Sequence, residues 1–111
     1  MNIRVVKDFA ELHYAIVHLY HDDGSPPLRS LDARVDGLGR LPHSTVARIL
    51  NGRTTPSREM VRSLAQALGA RPTDLIHWEK AWDRADADQR SIQLRRETEK
   101  SLRQRLTRTA P

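Results

Sequence analysis

The chain has 111 residues, with 19 Lys and Arg against 14 Asp and Glu for a net charge of +5, and it contains no cysteine. That length suits one small domain with a modest core, and the lack of cysteine excludes disulfides and thiolate metal sites. The longest charge-free run, Leu12 to Tyr20, falls well short of the roughly 20 apolar residues of a membrane span. Met1 to Phe9 carries Arg4, Lys7 and Asp8 without an apolar stretch and does not read as a signal peptide, so a cytoplasmic protein without a membrane partner is expected.

Met1 to Val6 is compatible with a short strand but too brief to assign, and residues 1–8 are set apart as an N-terminal extension. Asp8 followed by Glu11 forms a capping-box-like start, with Val6 placed to staple it. From there Phe9, Leu12, Ile16, Leu19 and Tyr20 recur at helical spacing, which predicts a first helix over about 9–20. The run His21 to Pro27 is loop by its turn chemistry. A short second helix over about 28–35 turns Leu28, Leu31 and Val35 inward with Ala33 beside them, and Asp36-Gly37 ends it. Asp36 to Pro42 holds two glycines and a proline, a turn signal, with Leu41 set to plug the core.

The next segment, His43 to Leu50, is a two-turn helix with distinct faces. At about 100° per residue, Val46, Ile49 and Leu50 share one side, while Ser44, Arg48 and Asn51 lie opposite. Short outward side chains beside one arginine suit a major groove, which is about 12 Å wide, and arginine is the commonest bidentate partner of guanine. Gly52 supplies the left-handed residue that stops the helix. Ser57 is the N-cap of a fourth helix that buries Met60, Val61, Leu64, Ala65 and Leu68 before Gly69. Pro72 opens a fifth, with Leu75, Trp78, Trp82 and Ala85 on one stripe. That stripe favours packing over ligand stacking by the tryptophans. Beyond it, residues 86–111 form a charged extension, helix-friendly through Arg108, with only Ile92, Leu94, Leu102 and Leu106 apolar. Stepping on from Trp82 meets Gln89, Arg96 and Arg103, so a frayed or partner-dependent helix is expected there rather than a sustained coiled coil.

Charge is unevenly spread. Residues 1–24 hold two basic and four acidic side chains, whereas residues 25–63 hold seven arginines against three carboxylates. The basic stretch coincides with the two-faced helix, as expected of a phosphate-binding surface.

Five helices, the stretch Leu41-Pro42-His43-Ser44-Thr45-Val46-Ala47-Arg48-Ile49-Leu50-Asn51-Gly52, and then Pro56-Ser57 through Leu68-Gly69 resemble the Cro/C1-type (XRE-like) helix-turn-helix family of bacterial transcription regulators. The resemblance covers about residues 9–82 and implies an all-α, lambda-repressor-like domain over 9–85 that binds specific double-stranded DNA. In such proteins the second helix of the motif enters the major groove. By that resemblance His43, Ser44 and Arg48 read bases, with Thr45 and Ala47 at the margin, while Asn51, Arg53 and Thr55 hold the DNA backbone and Arg58 and Arg29 are further phosphate candidates. Residues 36–40 make the turn about three residues longer than the compact family turn. One reading helix covers only a few base pairs, so a homodimer on two half-sites is expected, joined through the fifth helix with Trp78 and Trp82 or through the tail beyond it.

His13, His18, His21, His43 and His77 lack a persuasive metal-ligand spacing. Gly37-Leu38-Gly39 follows a helix rather than a strand and lacks the lysine of a phosphate loop. Neither an enzyme nor a cofactor is expected. The alternative function is an antitoxin-like or adaptor module whose tail folds on a protein partner, and the chain also fits the N-terminal piece of a longer protein.

Overall fold

The computed structural model describes residues 2–32, 34 and 41–109, and among them every regular element is helical. A 3-10 turn, Ile3–Val5, precedes α1 (Phe9–Asp22), α2 (Leu28–Asp32), α3 (His43–Leu50) and α4 (Arg58–Ala67), and a second 3-10 turn, Pro72–Asp74, leads directly into α5 (Leu75–Thr109). The fold is the all-α arrangement expected, with a long C-terminal helix.

The caps read in the sequence form the predicted bonds. Asp8 Oδ1 accepts from the Glu11 amide at 2.7 Å, and Glu11 reaches back to the Lys7 amide at 3.0 Å. Ser57 Oγ accepts from the Met60 amide at 3.2 Å. Because a lost N-cap costs about 0.5–2 kcal/mol, Ser57→Ala is expected to lower the thermal midpoint by several degrees in a melting experiment. At the other ends, Gly24, Gly52 and Gly69 sit at φ +82°, +72° and +90°. Gly52 closes α3 by donating to the Ile49 carbonyl while Arg53 donates to that of Arg48, the paired bonds of a Schellman end.

One apolar core joins these elements. Leu12, Ile16, Leu31, Leu41, Val46, Ile49, Val61 and Leu64 are essentially inaccessible. Leu41 fills the core as its position in the sequence suggested. α4 and α5 form the most extensive helix pair, and α2 packs on α3.

Three expectations change. Residues 3–5 form a 3-10 turn instead of a strand, and Val6 behind it is fully buried. Arg84 on α5 fixes this segment by donating to the carbonyls of Val6 at 2.7 Å and Ile3 at 3.0 Å. α1 runs two residues past Tyr20 to Asp22. α2 ends at Asp32, while the inward roles of Ala33 and Val35 and the long turn at 36–40 lie outside the described residues. The charged extension is helical as expected, and α5 crosses residue 85 without a break, although burial stops at Ala85. Its glutamines, arginines, glutamates and leucines are strong helix formers, and a helix already anchored by packing needs no new nucleus to continue.

Candidate nucleic-acid interface

α3 presents to solvent the face that the core does not use. Val46 and Ile49 are buried and Leu50 is half-buried, whereas His43, Ser44, Arg48 and Asn51 are exposed and Thr45 and Ala47 lie between. The loop after it exposes Arg53, Thr54 and Thr55. Among the described residues, neither Arg48 nor Arg53 makes an ion pair or a side-chain hydrogen bond, and Arg29, exposed on α2, makes none either. These guanidinium groups carry their full charge outward.

Two features hold this surface in place. Pro42 occupies the N-cap of α3 and supplies no side-chain bond, so the first-turn amides and the positive end of the helix dipole remain open at the exposed end. At the other end, His13 of α1 lies with Nε2 2.9 Å from the Leu50 carbonyl, where it donates the bond that the helix cannot supply. A cleft of about 230 Å³ lies behind the loop, between Phe9, His13, Ile49, Thr55 and Pro56.

Arg58, one of the phosphate candidates, is engaged within its own domain. Its guanidinium pairs with Glu79 at 2.9 Å and with Asp83 at 3.0 Å, both on α5. The hydrogen bond to Asp83, with smaller help from the charges of Asp83 and Glu79, raises its pKa above the usual arginine value. Arg62 joins Glu79 from one turn along α4 at 3.2 Å. Glu79 is only 9% exposed, and two arginines compensate its burial. This network ties α4 to α5, with Arg58 and Arg62 one turn apart on one helix and Glu79 and Asp83 one turn apart on the other.

Trp78 and Trp82 are likewise turned into their own domain. Trp78 is 6% exposed within the core. Trp82 donates from Nε1 to the Pro56 carbonyl at 2.8 Å and meets the edge of Phe9 with ring centroids 6.2 Å apart. Within the domain both tryptophans supply packing, Trp78 buried and Trp82 partly buried.

No residue of α5 could have been paired with α4 by local pattern alone, and the link from His13 to α3 was equally invisible, because both depend on tertiary approach. No helix of the described residues is long and apolar enough to cross a membrane. Among known protein families, residues 32–78 match a model described as a helix-turn-helix domain. No curated protein and no solved structure matches the chain. The matched stretch runs from the last residue of α2 through α3 and α4 to Trp78, so it takes in the exposed helix and the core that supports it. Over residues 32–78 the chain is thus similar to helix-turn-helix domains, in agreement with the resemblance read from the sequence.

Proposed function

We propose that this protein is a sequence-specific, double-stranded DNA-binding transcription regulator of the cytoplasm that places α3 in the major groove. Arg48 and Ser44 read base edges, with His43, Thr45 and Ala47 beside them, while Asn51, Arg53, Thr55 and Arg29 grip the sugar-phosphate backbone. The observation that carries this reading is the division of α3. One face is locked into the core, and the other offers an unpaired arginine among short polar side chains beside an uncapped helix start. Anions favour such a start because its amides and dipole point toward them. Useful specificity takes two such helices, on half-sites about 10 base pairs apart or a multiple of that.

Selection of bound duplexes from a randomised pool, with wild type and Arg48→Ala in parallel, tests the proposal. Enrichment of a two-fold symmetric motif by the wild type is expected. Absence of any enriched sequence, with binding that disappears as salt rises, refutes base reading.

The two arginines flanking the loop separate backbone contact from structure. Each phosphate contact contributes about 0.9 to the slope of log K against log salt, so Arg53→Ala is expected to flatten that slope by nearly one on cognate and random DNA alike. Arg58→Ala is expected to leave the slope unchanged and to lower thermal stability instead, since its partners are Glu79 and Asp83. Titrations at several salt concentrations, with melting curves for both variants, check the pair.

A further inference from the structure

Past Ala85 the helix leaves the core, and residues 87–106 are exposed throughout. At 1.5 Å per residue, residues 86–109 extend about 36 Å, and the molecule is 65 Å long but only 27 by 24 Å across. Ala85, Asp88, Ile92, Arg95, Glu99, Leu102 and Leu106 follow one another at alternating spacings of three and four. That 3.5-residue period keeps a stripe facing a neighbouring helix. It shares Ala85, Ile92, Glu99 and Leu106 with the line continued from Trp82 but takes Asp88, Arg95 and Leu102 in place of Gln89, Arg96 and Arg103, and so collects three of the four exposed apolar residues of the tail, with Leu94 outside it. One flank of the stripe, at Gln89, Gln93, Arg96, Lys100 and Gln104, is wholly polar.

The charges on the stripe identify what covers it. Asp86 and Arg90, four residues apart, close an ion pair at 3.0 Å. Arg95 and Glu99 have the same spacing, yet neither is paired within the chain. We propose that the stripe is covered by a second copy of the same helix, lying antiparallel about a two-fold axis at the level of residue 97 along the helix. In that arrangement Arg95 faces the second copy's Glu99 and Glu99 faces its Arg95, while Ile92 lies against Leu102 on either side. A parallel pair brings Arg95 to Arg95 and Glu99 to Glu99, so like charges meet within the seam and that orientation is disfavoured. The two ionic layers fix orientation more than strength, and the association is therefore weak and sensitive to salt. This inference deepens the dimer of the proposed function by naming its surface, and its test reads association without DNA.

Sedimentation of the full chain at low ionic strength, up to high micromolar concentration, provides the test. The wild type is expected to show a concentration-dependent dimer. Arg95→Glu and Glu99→Arg are each expected to weaken it by roughly tenfold or more, because like charges then meet twice. The double reversal is expected to restore it. An equimolar mixture of the two single variants is expected to dimerise as well, since one copy then offers two carboxylates to two arginines on the other. Recovery in the mixture distinguishes a lost contact from an unfolded tail. The inference is overturned if the wild type stays monomeric, if the single variants associate as well as the wild type, or if the mixture remains monomeric. A monomer whose tail gains protease protection only on adding another protein overturns it too, in favour of a different partner. Both single variants are expected to keep their affinity for one DNA half-site, so failure of self-association and failure of DNA reading are seen separately.

Discussion

Replacing Arg48 with alanine is expected to weaken binding to the selected duplex by about 1–3 kcal/mol, roughly 5- to 150-fold, and to relax the preference at one base pair. Binding to random DNA is expected to fall far less. The basis is positional: Arg48 is exposed on the outer face of α3, unpaired, one turn from the exposed helix start. Competition titrations with the selected duplex and with single-base variants of it measure the effect. Equal losses on cognate and random DNA remove Arg48 from base reading and make it a backbone contact.

The adjacent residue is expected to behave in the opposite way. Ile49 is 1% exposed and belongs to the core with Ile16 and Val46. Ile49→Ala removes buried methyl groups and leaves a cavity, at a cost of about 2–5 kcal/mol. A domain of this size has only about 5–15 kcal/mol in total, so a large part of the population is expected to unfold near physiological temperature. Denaturant titration reads the loss directly. The fraction that remains folded is expected to select the same DNA sequence as the wild type, because no outward group has changed. One peptide bond thus separates a residue that governs specificity without stability from one that governs stability without specificity.

The sequence made the local devices legible. Asp8, Ser57, Gly52 and Gly69 mark helix ends by bonds to neighbours only a few residues away, and the division of α3 follows from helical period alone. What depends on distant partners was not legible. The ion pairs of Arg58 were hidden because its partners, Glu79 and Asp83, lie more than twenty residues on and meet it only once α4 and α5 have packed. The bond of Trp82 was hidden likewise, because its acceptor, the Pro56 carbonyl, lies in the loop before α4, 26 residues back. Val6 was marked only as a staple for α1, and its full burial in the common core comes from tertiary packing that local pattern does not show. For the tail, composition favoured helix while the search for an apolar seam argued against order, and continuity with a packed helix decided between them.

The clasp between Arg84 and the carbonyls of Ile3 and Val6 also constrains how the molecule is made. These groups stand 81 and 78 positions apart, so closing that loop carries a high entropic cost until intervening contacts have shortened it. A ribosome releases the N-terminal segment first, yet the surface that receives it is among the last to emerge. Until residues 78–85 have left the exit tunnel, Val6 lacks its cover and the ion-pair anchor of α4 is absent. Synthesis must therefore pass beyond Ala85 before α3 rests on a finished foundation.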